Sequence, residues 1–212
     1  MSKTSKEFSV APTATAWATG WSLTRNKACP VPQPYGCTID LGLADHLERH
    51  VVVDFDAESL RELASSLRIP GTWLKVCADP EKVIPLLHEN WDVQAPQYLI
   101  AVALHDVAAV APDGYRLSWR TSGNVTEAEL RDMDGQMAAR GRVAHSDGIA
   151  TFDQIVTEPA HQRKGLGRVV MAMLANLSIA HEAKLAFWSP RSRAGRSTRR
   201  LGGPWFRRSL PQ

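Results

Sequence analysis

The sequence contains no continuous run of about eighteen apolar residues, the length that a transmembrane helix needs. Its N-terminal region also lacks the apolar core of a secretory signal peptide. Cysteine is scarce, since Cys29, Cys37 and Cys77 are the only three and show no CxxC spacing. They predict reduced thiols, although a Cys29–Cys37 disulfide could form in an oxidising compartment. We therefore expect a cytoplasmic protein without a membrane partner.

Several motifs that bind phosphate or metal are also missing. The sequence has no GxxxxGK[ST] loop and no GxGxxG after a strand, which excludes two common nucleotide-binding sites. His46 and His50 are four residues apart, but there is no HExxH glutamate and no evident third ligand. We therefore expect no metal site.

One stretch, residues 152–179, combines a strand, a glycine loop and a helix. Residues 152–157 are mostly apolar or β-branched, which predicts a strand. Pro159 should end that strand, because it lacks an N–H group and restricts Glu158. Apolar residues then recur at helical spacing from Leu166 to Leu177, which predicts a helix with one buried face.

The start of this helix has the features of an anion site. A helix N-terminus leaves amide groups without intrahelical partners and carries a partial positive charge. Gly165 and Gly167 would let an anion approach the backbone, and Arg163, Lys164 and Arg168 add positive charge. The alternative is an ordinary helix start preceded by a solvated basic turn.

The full pattern is more specific than either glycine. Gln-x-x-Gly-x-Gly, preceded by strand–Thr–Glu–Pro and followed by an apolar helix, resembles the acetyl-coenzyme A motif of the GNAT superfamily of N-acetyltransferases. The resemblance is dense over residues 148–186 and slight before residue 115. It implies acetyl-CoA as cosubstrate, with backbone groups of Ile155, Val156 and Thr157 along the pantetheine arm and thioester. It implies a pyrophosphate-binding segment made of Gln162, Arg163, Lys164, Gly165, Leu166, Gly167 and Arg168.

Strand and helix patterns predict an α/β (α+β) fold. The resemblance adds a central mixed sheet flanked by helices, in residues 111–212, after an N-terminal α/β portion of unknown role in residues 1–110. In the N-terminal portion we expect a short strand or irregular segment at 17–23, strands at 51–55, 72–77 and 98–104, and helices at 58–67 and 80–90. In the second we expect a strand at 115–122, a strand or short helix at 129–134, a hairpin of 136–145 with 148–157, and a strand at 185–187.

The second portion departs from the family in one respect. GNAT proteins usually have two helices between their first and second strands, whereas residues 123–127 are too few to form them. We expect the N-terminal half to cover that side of the sheet instead.

The resemblance also implies the chemistry. In GNAT-like enzymes an amine attacks the thioester carbonyl directly, so a proton acceptor and an oxyanion donor are needed. A backbone N–H near Val156 would be the oxyanion donor. Asp153 is the candidate proton acceptor, directly or through water, and the alternative is a surface aspartate with no catalytic role. Glu158 is a weaker candidate, because it lies beside the phosphates.

The last segment, residues 188–212, has a different composition. It contains seven arginines and no acidic residue, and the preceding residues carry 18 basic against 22 acidic side chains. Its lack of an amphipathic pattern predicts a tail that is poorly ordered or loosely laid on the surface, and the sheet edge left uncovered would favour association, for example as a homodimer.

The family usually has a tyrosine in the helix that follows the last predicted strand, and no tyrosine follows Tyr115. Back-translation of 188–212 with GC-rich codons, displaced by one nucleotide, permits an Ala-Leu-Tyr helix followed by Leu-Gly-Trp. A frameshifted C-terminus is therefore one interpretation, beside a nucleic-acid-binding arm and a plain solvated tail.

Three functions remain open from the sequence. The first is an N-acetyltransferase that acts on a small-molecule or peptide amine. The second is a catalytically weak acetyl-CoA-binding or regulatory protein, because the usual thiolate-protonating tyrosine is missing. The third is a nucleic-acid-associated protein that uses the arginine-rich tail, although we do not expect nucleic acid to be the main partner.

Overall fold

A computed structural model describes residues 10–188 and 199–208. The helices are α1 (Val10–Thr24), α2 (Ala57–Ser66), α3 (Pro80–Val83) and α4 (Leu166–Ala180), with 3₁₀ turns at Ile84–Leu86 and Pro159–His161. The strands are β1 (Val31–Gln33), β2 (Gly36–Leu43), β3 (His46–Val52), β4 (Thr72–Val76), β5 (Trp91–Ala103), β6 (Tyr115–Ser122), β7 (Val125–Asp132), β8 (Met137–Ser146), β9 (Ile149–Thr157), β10 (Leu185–Trp188) and β11 (Arg199–Arg208). Within the described ranges, no helix is both long and apolar enough to cross a bilayer.

These elements form two compact units, each with a mixed sheet flanked by helices, as the fold class predicted. The described part of the first unit is residues 10–18, 30–98 and 201–208, and that of the second is 19–29, 99–188 and 199–200. This division differs from the predicted one at residues 110 and 111. A boundary inferred from composition assumes two continuous segments, whereas this chain passes between the units more than once.

The first unit has the strand order β1-β2-β3-β4-β11-β5. Strands β3 and β4 are parallel, and α2 packs its buried Leu60 and Ala64 into the core beside them. Asp56 caps α2, because its Oδ1 accepts hydrogen bonds from the amides of Glu58 and Ser59, at 2.9 and 2.8 Å. The helix predicted over 80–90 is shorter than expected and is continued by a 3₁₀ turn that contains Pro85.

The segment around Trp17 is a helix, so the predicted strand or irregular structure was wrong. Ala14, Trp17, Ala18 and Trp21 are all buried, and their spacing places them on one face of α1. This helical spacing is visible in the sequence, but the segment is also rich in tryptophan and threonine, which are more common in strands. His46 and His50 lie on β3, not on a helix, and three free cysteines are present.

The second unit has the order β5-β10-β9-β8-β7-β6. Strands β6 to β9 form an antiparallel meander, while β10 runs parallel to β9. The strands predicted at 115–122 and 185–187 are confirmed, and residues 129–132 of the segment at 129–134 belong to strand β7. The predicted hairpin is also confirmed, but its turn is at Asp147 and Gly148, one residue later than predicted, with φ of 51° and 72°.

Helices flank β9 on both faces. On one face α4 packs against Gly141 of β8, where an added Cβ would lie 2.4 Å from Ile155 Cδ1 and 2.8 Å from Val170 Cγ1. On the other face a Cβ at Gly20 of α1 would lie 2.2 Å from Thr151 Oγ1. The end of α1 therefore covers the side of the sheet for which the sequence supplies no helix between β6 and β7.

The arginine-rich segment contains a strand, so the prediction of a poorly ordered tail was wrong for Arg199–Arg208. This strand, β11, pairs antiparallel with β4, with Trp205 opposite Lys75 and Phe206 opposite Leu74. Strand pairing uses backbone groups and requires no amphipathic pattern, which is why composition did not reveal it. The frameshift interpretation loses the support that it took from an unpaired tail. The rest of that prediction, at 189–198 and 209–212, lies outside the described residues.

Lys75 of β4 is an unusual core residue. Its side chain is 1% exposed, and its Nζ lies 4.4 Å from the centre of the Trp17 ring. Burial lowers the pKa of Lys75 from 10.5 to about 7, and the charge of Arg49 acts in the same direction.

This buried lysine predicts a pH dependence of stability. Between about pH 7 and pH 10.5 the unfolded chain holds the Lys75 proton more tightly than the folded chain, so stability should rise with pH. The slope should approach about 1.4 kcal/mol per pH unit. Lys75→Met should remove this contribution in urea unfolding between pH 7 and pH 10, whereas the exposed control Lys82→Met should retain it. Equal slopes in the two variants would contradict a neutral buried lysine.

Candidate active site

A β-bulge interrupts β9 before the glycine loop. Arg142 of β8 pairs with Asp153 and Arg140 pairs with Val156, so Gly141 alone faces Gln154 and Ile155. Gln154 has a φ of 54°, in the left-handed region that non-glycine residues rarely adopt. A bulge of this kind bends the strand and redirects the side chains that follow. Residues 155–157, at the end of β9, therefore follow a different direction from the first half of the strand.

In the part of the chain that the structure describes, this end of β9 has an open edge on the side of β10. Among the described residues β10 accompanies β9 only from Ile149 to Phe152, while β8 continues to Thr157. Val156 is 40% exposed, whereas Ile155 is partly buried and packs against the core on the α4 side. The residues predicted to contact the pantetheine arm therefore offer an accessible strand edge.

The loop that follows brings the chain back to the start of α4. After the 3₁₀ turn at Pro159–His161, both Arg163 and Gly165 adopt left-handed conformations, with φ of 62° and 77°. Gln162 Nε2 donates to the carbonyl of Thr157 at 3.4 Å, which links the loop to the end of β9. Residues 162–165 of the predicted pyrophosphate segment are thus one tight turn, and residues 166–168 are the first residues of α4, where the buried side chain of Leu166 anchors the helix.

The N-terminus of α4 fits an anion. Its N-cap is Gly165, no side chain caps it, and its first turn has no acidic residue. A Cβ at Gly165 would meet no atom within 4 Å, so the space in front of the helix is open, whereas one at Gly167 would lie 3.2 Å from Thr157 Oγ1. The residues present therefore suit a phosphate group that binds first-turn amides.

Three exposed cations surround this terminus: Arg163, Lys164 and Arg168. Lys164 is held in place, because its Nζ donates to the Tyr115 hydroxyl at 3.0 Å. The same hydroxyl lies 3.0 Å from His161 Nδ1, and His161 Nε2 lies 3.7 Å from Asp132 Oδ2. A role for Tyr115, His161 and Asp132 at this site could not be predicted from the sequence, because the contact between β6 and the loop joins residues 49 positions apart.

Asp153, the predicted proton acceptor, is engaged by the end of α1. Arg25 contacts both carboxylate oxygens, with Nε 2.7 Å from Oδ2 and Nη2 3.2 Å from Oδ1. Thr24 Oγ1 also donates to Oδ2, at 3.2 Å. The Asp153 side chain is only 16% exposed. This geometry favours the structural alternative, in which Asp153 joins β9 to α1.

No group of three or more His, Cys, Asp or Glu side chains in the described part of the chain could hold a metal ion. A cavity of about 390 Å³ lies in the first unit and is lined partly by Tyr35, Asp54, Phe55 and Ser59. None of the predicted site residues lines it. The glycine loop is instead an open surface, as expected for a site that binds the phosphates of an extended ligand.

Solved structures with a similar architecture decide the fold. A GCN5-related N-acetyltransferase from Kribbella flavida superposes with a TM-score of 0.64 at 16% identity, over 95% of each chain. One from Sphaerobacter thermophilus has a TM-score of 0.59 at 8% identity, over 81% of this chain and 75% of its own. This chain has the GNAT fold. The likeness includes the first unit, so the GNAT fold here extends over most of the chain.

At the level of sequence the likeness is too distant to detect by simple comparison. No protein-family model and no curated protein matches the sequence. The glycine loop and the four strands before it are nevertheless the part of the GNAT fold that the sequence motif predicted.

The contact between Asp153 and Arg25 predicts an energetic coupling. Asp153→Asn and Arg25→Gln should each lower the free energy of unfolding by about 1–2 kcal/mol, because each removes a charge-assisted hydrogen bond. The double variant should lose no more than either single variant, as measured by urea unfolding. Asp147→Asn, at the exposed hairpin turn, is the control. Additive losses would contradict a structural ion pair.

Proposed function

We propose that the protein is an N-acetyltransferase that transfers an acetyl group from acetyl-CoA to an amine. The observation that carries this proposal is the uncapped, glycine-started N-terminus of α4, which lies beside the open end of β9 and three exposed cations. The GNAT fold supports an acyltransferase of this class.

In this proposal the chain binds acetyl-CoA in two places. Residues 162–168 bind the pyrophosphate through first-turn amides and the side chains of Arg163, Lys164 and Arg168. Tyr115 positions Lys164 at the rim of this site. The backbone of Ile155–Thr157 lies along the pantetheine arm as an additional strand would, since this edge of β9 is open.

The reaction replaces a C–S bond by a C–N bond and moves one proton from the amine to the thiolate. The amine nitrogen attacks the thioester carbonyl carbon, a C–N bond forms, and the C–S bond breaks. The amine loses a proton and coenzyme A leaves as a thiol after gaining one. The amide N–H near Val156 stabilises the oxyanion, and tight positioning of both reactants supplies much of the rate.

Asp153 was the sequence-based candidate for the proton acceptor, but its two oxygens already accept hydrogen bonds from Arg25 and Thr24. Asp153→Asn should therefore leave kcat nearly unchanged in folded protein. A large fall in kcat with unchanged acetyl-CoA affinity would restore Asp153 as the base.

A second candidate function is an acetyl-CoA-binding protein with little turnover. It is favoured by one observation, that no tyrosine follows Tyr115 to protonate the leaving thiolate. Acetyl-CoA titration followed by measurement of acetyl transfer separates the two, because the binding protein would bind acetyl-CoA without transferring the acetyl group.

Replacement of Gly165 tests the phosphate site. Gly165→Asp should weaken acetyl-CoA binding at least about tenfold in isothermal titration calorimetry, because a carboxylate would enter the phosphate site. Gly135→Asp is a matched control, since Gly135 has a φ of 79° and similar open space. The same affinity in both folded variants would contradict the assignment of residues 162–168 to the pyrophosphate.

A further inference from the structure

The face of the second unit's sheet that points away from α4 carries a concentration of arginines. Strand register places Arg140 of β8 between Glu129 of β7 and Val156 of β9. It likewise places Arg116 opposite Arg131. Because cross-strand partners point to the same side of a sheet, all five residues lie on this face. The alternate residues of β7 are buried under α4.

The strands of this face carry five arginines: Arg116, Arg120, Arg131, Arg140 and Arg142. Three of the five are paired with carboxylates. Arg131 Nη2 lies 2.9 Å from Glu129 Oε2. Arg120 and Arg142 share Glu127, with nitrogen–oxygen distances of 2.8 and 3.2 Å. Together with the Arg25–Asp153 pair, these contacts engage the three carboxylates that the register places on the face.

Arg140 is different. Its side chain is exposed and has no ion-pair or hydrogen-bond partner among the residues whose side chains the structure describes. Arg116 is likewise exposed and unpaired among the described side chains, but it lies on β6, two strands farther from β9 than Arg140 and roughly 10 Å from it. Arg140 is therefore the cation without an ion-pair partner that borders the exposed Val156.

The acceptor amine must approach from this face. On the α4 side, Ile155 packs over Gly141 and Val170, so that side of the β9 end is closed. Val156 faces the opposite side and is accessible. An amine that reaches a thioester beside Val156 therefore comes within reach of the Arg140 guanidinium, which extends about 6–7 Å from its Cα.

We propose that the acceptor is an amine that also carries an anionic group, a carboxylate or a phosphate, and that Arg140 binds this group. Guanidinium forms paired hydrogen bonds with both kinds of anion, and such charge-assisted contacts are strong at a partly desolvated site. The inference rests on the proposed function, because it takes the position of the thioester from it.

Matched acceptor pairs test the inference. Acetyl transfer by the full chain is followed by mass spectrometry of the acetylated product, with 4-aminobutyrate against butylamine and O-phosphoethanolamine against ethanolamine. Transfer to the anionic member of at least one pair should have a kcat/KM about tenfold higher than transfer to its neutral partner. Comparison of the two pairs distinguishes carboxylate from phosphate.

Variants of Arg140 test whether this side chain causes the preference for anionic amines. Arg140→Gln should raise KM for the anionic amine about tenfold, with kcat and the neutral amine little changed, and Arg140→Lys should recover part of the loss. Arg116→Gln is the matched control, since it removes the same charge from the same face.

Two groups of results would overturn the inference. Equal transfer to both members of each pair, no transfer to either anionic amine, or equal effects of Arg140→Gln and Arg116→Gln would reject an anionic acceptor. If calorimetry shows acetyl-CoA binding in these cases, the cofactor site of the proposed function stands. If acetyl-CoA does not bind at all, the proposed function fails and the inference fails with it.

Discussion

Helix α4 lies directly against the sheet because Gly141 of β8 has no side chain to separate them. A single added methyl group there would overlap Ile155 and Val170. This close packing fixes the axis of α4, and Gly167, next to Thr157, brings its first turn against the end of β9. The anion site and the open strand edge are neighbours for this reason. Any side chain at position 141 would move one of them relative to the other.

The same strand is held on its opposite face by the end of α1. The close approach of Gly20 to Thr151 and the Arg25–Asp153 ion pair are the contacts that do this. An aspartate that looks catalytic from its position on β9 thus has a structural partner 128 residues earlier in the chain. The three carboxylates of this sheet face are all engaged by other arginines, so none of them is left to pair with Arg140.

Much of the fold could be predicted because its signals are local. The strands of the meander, the hairpin of β8 with β9 and the helix after Gly165 all follow from periodicity or turn chemistry within a few residues. The long-range contacts could not be predicted. The hydroxyl of Tyr115 meets Lys164 only because β6 and the loop come together in three dimensions, and no spacing in a single sequence encodes that.

Two features of the first unit could not be predicted from the sequence either. Strand β11 joins β4 although composition suggested an unpaired basic tail, because backbone hydrogen bonding does not depend on side-chain pattern. The burial of Lys75 in β4 could not be predicted either, since a lysine within a strand is normally expected to face solvent.

Hydrogen–deuterium exchange of the full chain, with and without acetyl-CoA, tests the proposal that residues 155–168 bind this cosubstrate. Acetyl-CoA should slow amide exchange in peptides that cover these residues, because it would bind first-turn amides of α4 and the edge of β9. Peptides that cover α2, beside the cavity of the first unit, should not change. Protection confined to the α2 region, or no protection at residues 155–168 under saturating acetyl-CoA, would contradict it.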